Sequence, residues 1–572
     1  MALDNPGTQL GITELDLGLI PSWGHIGRVV HMAGLQRSLH ILLGGKKLSA
    51  REALAWGLVD DVVRDNAESP PDLMQQAAKR DAQRPRRTWR QWLTESVGWT
   101  RRLVLRGAER VLRRRLPDDM PAPWELLGAI RAETERGAEA GRDHVRAALP
   151  KLAASAACRN LLRVQVLRDA QLGADAATQR PKRIGILGAT PLALHLAAQA
   201  AVKGCHVLLR EKDEMTLGMI TLRLVQTLQN DALKAGISQD QFTDNVNRIR
   251  PTIKWKDFDT VELVVDAMAG GMEVDERLVR ELEEHIRPET VIATVQPWRE
   301  LAAWQRLLRN PQRVIGVHFP APVGRAPLIE VLSGPDTGES AKRCVQGFAA
   351  MLGKVATAAL EPSGGVINRV LCSGFAEALH LLAEGIAPER VEQAMQRFGM
   401  VYTPLEHLDQ MGLDEFALIA RRLEPALGEA VAEHPVVRHM LDQRWLGMKT
   451  VVGFYRHLAT KRTEHRPLAS WLRRTFASKA TPMSTAEQRK VVQARIVGRM
   501  VNEAFRCLDE RIVESADQVD LALMLAGWAP HRGGPCKYGE QTGYPAVVAS
   551  LEELARQHGK RFEPAAGLRR LA

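Results

Sequence analysis

The sequence has 572 residues, of which 45% are apolar and 25% are charged, and its formal net charge is +11. This length exceeds what one hydrophobic core holds, so we expect a soluble globular protein of about three to five domains. No stretch approaches the roughly 18 uninterrupted apolar residues of a membrane span, and the start lacks the basic and apolar regions of a signal peptide, so the cytoplasm is the expected compartment.

The first stretch, residues 10 to 63, is rich in turns and ends in a predicted helix and strand. Ser49 followed by Glu52 is a capping box, which predicts that a helix begins at residue 50. Gly57 is a suitable C-terminal stop for that helix. The apolar run 58–63 then predicts a short strand.

From about residue 67 to 179 the pattern is helical and charged, which is typical of a connector. Eleven arginines between Arg84 and Arg115 are opposed by two glutamates and interleaved with Trp89, Trp92 and Trp99. One interpretation is a solvated basic helical face. Another is contact with an anionic membrane surface, a partner or phosphates. Nucleic acid is the weakest of these hypotheses, because no recognised nucleic-acid fold accompanies the charge.

At Arg183 the period changes to that of a strand–helix–strand unit. Residues 184–187 predict a strand, residues 191–202 a helix, and residues 205–209 a second strand. Further apolar runs predict strands at 263–265, 291–293, 314–317 and 328–331. This order favours a doubly wound sheet that closes near residue 360.

Past residue 360 the chain is helical and repeats itself. Glu377 and Glu384 recur in matching context as Glu503 and Glu510, and Phe398-Gly399 has a counterpart at Ala526-Gly527. A duplicated helical domain is the simplest explanation.

The six cysteines are scattered, with no Cys-x-x-Cys pair and no histidine at ligand spacing. Neither a disulfide framework nor a metal site is therefore predicted, and the cysteines are expected to be reduced and structural.

Several short blocks occur in the order of one known family. They are Glu14 to Pro21, Leu48 to Ala53 with Gly57-Leu58-Val59, Gly316 to Phe319, Leu328 to Val331, Val366 to Arg369, Gly453 to Tyr455 and Arg532 to Pro535. With these blocks the chain resembles the multifunctional alpha subunit of the bacterial fatty-acid oxidation complex, which joins a crotonase-type enoyl-CoA hydratase to a 3-hydroxyacyl-CoA dehydrogenase.

The resemblance implies an α/β fold in five parts. They are the C-terminal part of a crotonase-like domain (1–66), a helical connector (67–180), a Rossmann-like NAD-binding domain (181–361), a helical dehydrogenase C-terminal domain (362–460) and its second copy (461–572). It also implies NAD as cofactor, acyl-CoA substrates and a thiolase beta subunit as partner.

For hydration, Glu14 matches the family's second catalytic glutamate. Its partner glutamate and both oxyanion-hole segments belong to a part of the crotonase fold that this sequence lacks, so hydratase activity is not expected of this chain. The alternative for Glu14 is an ordinary surface or capping residue.

The dinucleotide loop of the family has three glycines, where this chain has Gly188, Thr190 and Ala193. Gly188 suits the tight turn and Ala193 is an accepted small residue. Thr190 is expected to crowd the pyrophosphate, and Pro191 removes one N–H donor, so weakened NAD binding is predicted. Glu211 suits the ribose hydroxyls of NAD, its alternative being a solvated charge.

For dehydrogenation, the resemblance implies a base, His318, held by Glu330 on the next strand, with Asn368 contacting substrate. A structural histidine and an N-cap are the respective alternatives. Ala321, Pro297 and Gly270 replace polar residues of the family around this pair. We therefore expect an NAD-dependent 3-hydroxyacyl-CoA dehydrogenase of reduced activity, and the alternative function is a non-catalytic paralogue that binds acyl-CoA or assembles the complex.

Overall fold

The computed structural model describes residues 2–4, 8–64, 98–117, 119–176, 180–235, 237, 239–268, 272–296, 298–321, 326–361, 364–458, 461–476 and 482–572. Gly270, Pro297 and the arginines before residue 98 lie outside these described residues. The chain forms two compact units, Met1–Arg163 with Ala232–Ser238, and Val164–Asp231 with Gln239–Ala572.

The first unit is mostly helical. Its elements are β1 (Ala2–Asp4), β2 (Gln9–Leu10), α1 (His25–Ala33), α2 (Leu35–Leu42), β3 (Leu48–Ser49), α3 (Ala50–Trp56), β4 (Val62–Arg64), α4 (Gly98–Arg115), α5 (Pro121–Arg136), α6 (Ala138–Ala153) and the start of α7 (Ala156–Ala176). Its main core lies between α1, α2, α4, α5 and α6, where Leu105, Leu126 and Ile130 are almost completely buried.

The capping box predicted at Ser49 is present and starts α3. The Glu52 backbone N–H donates to Ser49 Oγ at 3.3 Å, and the Ser49 N–H donates to the Glu52 carboxylate at 3.1 Å. The predicted strand at 58–63 is wrong in its bounds, because Leu58 N–H donates to Ala53 O and so closes the end of α3. The strand β4 begins only at Val62, and it pairs with β1 in parallel.

The second unit is built on an eight-stranded sheet with the order β12-β11-β10-β9-β8-β5-β6-β7. The strands are β5 (Arg183–Leu187), β6 (His206–Arg210), β7 (Ile249–Thr252), β8 (Leu263–Asp266), β9 (Val291–Thr294), β10 (Val314–His318), β11 (Leu328–Ser333) and β12 (Val355–Leu360). Helices α8 (Pro191–Val202), α9 (Glu214–Ala235), α10 (Gln239–Asn247), α11 (Glu276–His285), α12 (Leu301–Leu307) and α13 (Glu339–Leu352) connect them.

The predicted doubly wound fold is confirmed. Strands β5 to β10 are parallel, whereas β11 runs antiparallel to β10 and parallel to β12. The central strands β8, β9 and β10 are buried along their whole length, as expected of a parallel sheet that helices cover on both faces. The strand order reverses between β5 and β8, and a crevice at the carboxyl ends of such strands is where ligands bind in sheets of this kind.

The helices that follow occur in the order that the predicted duplication requires. Helices α14 (Gly365–Ala383), α15 (Pro388–Phe398), α16 (Pro404–Met411), α17 (Leu413–Leu427) and α18 (Pro435–Asp442) recur as α20 (Thr485–Asp509), α21 (Ala516–Leu525), α22 (Pro535–Thr542), α23 (Tyr544–His558) and α24 (Ala566–Leu571). The hairpin β13 (Tyr455–Leu458) and β14 (Lys461–Glu464), then α19 (Arg466–Phe476), lie between the two copies.

The two long helices α14 and α20 pack together and exchange ion pairs. Arg369 of α14 donates to Glu503 at 2.6 Å, and Arg495 of α20 donates to Glu377 at 2.6 Å. The repeat thus supplies each arginine with a carboxylate from the other copy. Among the described helices α14 alone has the length and apolar composition of a membrane span, and 89% of that apolar window is buried in the fold.

Candidate functional site

The turn after β5 is held tight by Gly188. Its φ is +102°, and a Cβ at this position would lie 2.7 Å from both Ala267 O and Met268 Cα, at the end of the neighbouring strand. A side chain is therefore excluded twice, by backbone conformation and by space. The turn lies at the carboxyl end of β5, beside the end of β8, which is where the dinucleotide motif is expected.

Thr190 has a structural role in the loop, and its crowding of the pyrophosphate stays a prediction. It is the N-cap of α8, and its hydroxyl accepts from Ala193 N–H at 3.2 Å and donates to Ala267 O at 3.0 Å. The side chain is thus turned back onto its own helix and the adjacent strand end. Thr190 uses one helix N–H internally and Pro191 has none, so the end of α8 keeps fewer donors for a phosphate group.

Ala193 and Glu211 lie where the motif needs them. Ala193 is fully buried against the sheet. Glu211 follows β6 and is 9% exposed, so the alternative of a solvated charge is wrong. One of its carboxylate oxygens accepts from Lys212 N–H at 2.9 Å.

A buried polar network beside Gly188 was not anticipated from the sequence. Asp266 ends β8, is fully buried, and accepts from Met268 N–H at 3.2 Å and from Arg299 at 3.4 Å. Burial raises the pKa of Asp266 to about 6, although the charge of Arg299 opposes the rise. Gln296 also donates to Met268 O, so the strand end that supports the loop is fixed from two sides.

His318 and Glu330 are paired across two antiparallel strands. They are directly opposite in the register of β10 and β11, and the distance from His318 Nδ1 to Glu330 Oε2 is 3.0 Å. Both side chains are buried, Glu330 completely. The structure therefore brings together the two residues that the sequence proposed as a dyad.

The N-terminus of α14 anchors the carboxylate of Glu330. Its Oε1 accepts from Val366 N–H at 2.7 Å and from Ile367 N–H at 3.1 Å. Both N–H groups belong to the first turn of the helix and have no acceptor within the helix itself. The helix dipole also favours a negative charge at this end. Gly365 allows this contact because a Cβ on it, at φ +76°, would lie 2.7 Å from Glu330 Oε2.

Asn368 lies in the first turn of α14 and is fully buried. The N-cap of that helix is Gly364, so the alternative N-cap role of Asn368 is wrong. Its Nδ2 donates weakly to Gly364 O at 3.4 Å, and its Oδ1 has no partner among the described residues. A buried acceptor without a partner is costly, which suits a position that receives a ligand donor.

Comparison with known proteins agrees with this geometry. Residues 183–361 match the family model described as 3-hydroxyacyl-CoA dehydrogenase, NAD binding domain, and residues 364–457 match 3-hydroxyacyl-CoA dehydrogenase, C-terminal domain. The two matches together extend from residue 183 to residue 457, so this part of the chain is similar to the 3-hydroxyacyl-CoA dehydrogenase family.

The chain as a whole is similar to fatty acid oxidation complex alpha subunits. It is 27% identical to that subunit from Shewanella sp. (strain MR-4) over 577 residues, which cover 100% of this chain and 81% of the relative. The same subunit from Shewanella sp. (strain ANA-3) is also 27% identical, with the same coverage. The resemblance drawn from the sequence is thereby confirmed, whereas the crotonase-like interpretation of residues 1–66 stays a prediction.

Two crystal structures share the fold. One is 3-hydroxybutyryl-CoA dehydrogenase from Escherichia coli K12, with a TM-score of 0.56 and 21% identity over 68% of this chain and 98% of that chain. The other is the dehydrogenase part of multifunctional enzyme 1 from C. elegans, with a TM-score of 0.50 and 20% identity over 69% of this chain and 90% of that chain.

The dehydrogenase domains also contain two titratable residues that the sequence did not single out. His407 on α16 is 1% exposed, packs edge-on against Phe375 and Tyr402, and has no partner for Nε2 among the described residues. Burial, and then the charge of His318, lower the pKa of His407 to about 4. Burial raises the pKa of Glu415 on α17 to about 7. The sequence signal for His407 was its place between Leu405 and Leu408, because both leucines are core residues of the same helix.

The residues of the dehydrogenase crevice fit NAD. Thr294 Oγ1 and Gln296 Oε1, at the carboxyl end of β9, are buried polar atoms without a partner among the described residues. Glu211 would accept hydrogen bonds from the ribose hydroxyls. The remaining N–H groups at the start of α8 would donate to the pyrophosphate. No described group of three or more His, Cys, Asp or Glu side chains could hold a metal ion.

Proposed function

We propose that this chain is an NAD-dependent 3-hydroxyacyl-CoA dehydrogenase of fatty-acid β-oxidation in which His318 is the general base. The observation that carries the proposal is the His318–Glu330 pair, together with the helix end that holds Glu330. The domains and the cofactor are those of the family. Its activity is expected to be reduced, because Thr190 and Pro191 leave fewer backbone N–H donors at the cofactor site.

The reaction removes a proton from the 3-hydroxyl oxygen and a hydride from the carbon that bears it. NAD supplies the hydride acceptor when it is bound. His318 Nδ1 faces the carboxylate, so its N–H donates there and Nε2 keeps the lone pair that takes the hydroxyl proton. Glu330 fixes this tautomer and stabilises the imidazolium that forms. The free Oδ1 of Asn368 is an acceptor that can orient the hydroxyl or the thioester chain.

The first prediction is that His318→Gln loses most of the turnover, by about a hundredfold or more, since general base catalysis is usually worth that much. Glu330→Gln should also be slow, because the glutamine amide donates to Nδ1 and shifts the imidazole proton to Nε2. The measurement is NADH-dependent reduction of acetoacetyl-CoA, with substrate binding followed separately. Binding should change much less than turnover in both variants.

His206→Gln is the matched control, because His206 begins β6, four strands away from β10 in the sheet, and is exposed. Equal turnover in wild type and His318→Gln would contradict the base assignment. A wild type that binds acyl-CoA but stays inactive at saturating NADH would instead favour the second candidate function, a non-catalytic paralogue. The internal hydrogen bond of Thr190 is the observation that favours that candidate.

We extend the proposal to partners and location. Acyl-CoA thioesters are the substrates that the dehydrogenase domains fit. A thiolase beta subunit as partner, a cytoplasmic location, and membrane-surface contact through the Arg84 to Arg115 segment stay predictions. Co-purification of the full chain with a thiolase expressed from the same source tests the first of these.

A further inference from the structure

Helix α4 presents two adjacent ridges of side chains at its surface. One ridge consists of Arg102, Arg106, Arg110 and Arg114, which are all exposed and spaced by four residues. The other contains Trp99, Leu103 and Val111, which are 67%, 62% and 50% exposed. Each of these apolar residues is followed three positions later by an arginine, so the ridges are neighbours on one helix face.

The opposite face of α4 holds the helix in its unit. Leu105 and Leu112 are 1% and 7% exposed and pack in the core that also contains Leu126 and Ile130. The helix is thus already anchored by one apolar face. The exposed apolar ridge is a second apolar face of α4, and the described part of the first unit does not cover it.

The charge of the arginine ridge is not neutralised by described residues. Glu109 is the only acid in α4, and it pairs with Arg113 at 2.8 Å and with Arg131 at 3.1 Å, which both lie outside the ridge. Arg102, Arg106, Arg110 and Arg114 have no carboxylate partner among the described residues. Four unpaired positive charges therefore follow one line for about 18 Å, at 1.5 Å per residue.

We propose that this face of α4, the α4 ridge, binds an anionic lipid membrane surface. Arginine guanidinium groups meet the lipid phosphates, while tryptophan and aliphatic side chains enter the boundary between headgroups and acyl chains. A nucleic acid would explain the arginines but would leave the parallel apolar ridge without a role. The proposal does not depend on the dehydrogenase activity, because the α4 ridge lies in the other unit of the chain.

The test is flotation of the full-length protein with vesicles. Vesicles of phosphatidylcholine with about a quarter phosphatidylglycerol should bind the protein at low salt, and vesicles of phosphatidylcholine alone should bind it much less. Arg102→Gln/Arg106→Gln/Arg110→Gln should weaken binding by about a hundredfold, since each arginine near an anionic surface contributes roughly fivefold. Trp99→Ser/Leu103→Ser should weaken it as well, and that loss should persist at high salt.

The matched control is Arg136→Gln/Arg142→Gln/Arg146→Gln, which removes the same charge from exposed positions on α5 and α6. It should bind vesicles nearly as wild type does. The proposal is overturned if wild type ignores anionic vesicles, or if control and ridge variants lose binding equally. Tighter binding to duplex DNA, unchanged in Trp99→Ser/Leu103→Ser, would also overturn it and assign the ridge to nucleic acid. Equal unfolding temperatures of all variants show that a lost interaction is not lost folding.

Discussion

At the scale of single residues, two side chains have surroundings that the sequence did not reveal. Thr190 turns its hydroxyl onto the start of α8, and His407 puts an imidazole into an apolar layer beside the dyad. The sequence located Thr190 correctly within the dinucleotide loop. It could not show the direction of the hydroxyl, because that depends on the carbonyl of Ala267, 77 residues further along the chain.

Thr190→Gly should tighten NADH binding by roughly tenfold. The substitution frees Ala193 N–H for a phosphate oxygen, and a charge-assisted hydrogen bond is worth about one decade or more in affinity. Glycine is also an acceptable N-cap, so α8 should remain intact. Titration by NADH fluorescence gives the dissociation constant.

Thr190→Ser is the control for this prediction. It keeps the capping hydroxyl and removes only a methyl group, so its affinity should equal that of wild type. A tighter Thr190→Ser would mean that bulk at this position is the obstacle. No gain in Thr190→Gly would mean that the end of α8 does not contact the cofactor.

His407 makes the fold sensitive to acid. Its pKa is about 4 in the folded chain against a usual 6.5, so its contribution to stability is present above pH 6.5 and is lost as the pH falls toward 4. At about pH 5 this loss is roughly 2 kcal/mol. His407→Leu should remove that part of the pH dependence. Urea unfolding at neutral and acidic pH measures it, and an unchanged difference between the two pH values would contradict the assignment.

At the scale of elements, the start of α14 organises the dyad. The sequence predicted β10 and β11 from their apolar runs, and it placed His318 and Glu330 on them. It did not predict that Val366 and Ile367 N–H groups anchor Glu330, because a helix end and a strand interior 36 residues away show no common pattern. Helix α14 thus links the sheet to the helical domain at the His318–Glu330 pair.

Gly365→Ala should therefore damage catalysis as well as folding. A methyl group on Gly365 would displace the carboxylate of Glu330, and the positive φ adds about 1 to 2 kcal/mol of strain. Gly353→Ala is the matched control, since Gly353 has φ +72° with nothing within 4 Å of its added Cβ. Both variants should lose stability through the backbone strain, Gly365→Ala should lose more because of the steric clash, and only Gly365→Ala should lose turnover. Equal turnover in the two would show that the helix end does not set the dyad.

At the scale of the whole molecule, the duplication explains how the two helical copies are held together. The sequence showed that Glu377 and Glu384 recur as Glu503 and Glu510. It could not show the pairing, because a repeat is equally compatible with contacts inside each copy and contacts between copies. In the structure the pairs are crossed, with Arg369 bound to the second copy and Arg495 bound to the first.

These crossed pairs predict a large loss of stability when either arginine is removed. Arg495→Met leaves the completely buried Glu377 without its main partner, and Arg369→Met leaves the buried Glu503 with Arg506 at 3.6 Å. Breaking one partner of a buried ion pair typically destabilises by about 3 to 5 kcal/mol, because the remaining charge is buried alone. Glu377 keeps Arg561 at 2.9 Å, so the loss in Arg495→Met should fall at the lower end of this range.

Arg556→Met on α23 is the control, because it removes an exposed pair with Glu553 and should change stability by less than about 1 kcal/mol. Urea unfolding of the three variants is the measurement, and a loss in the buried variants no larger than in Arg556→Met would mean that apolar packing alone holds the two copies together.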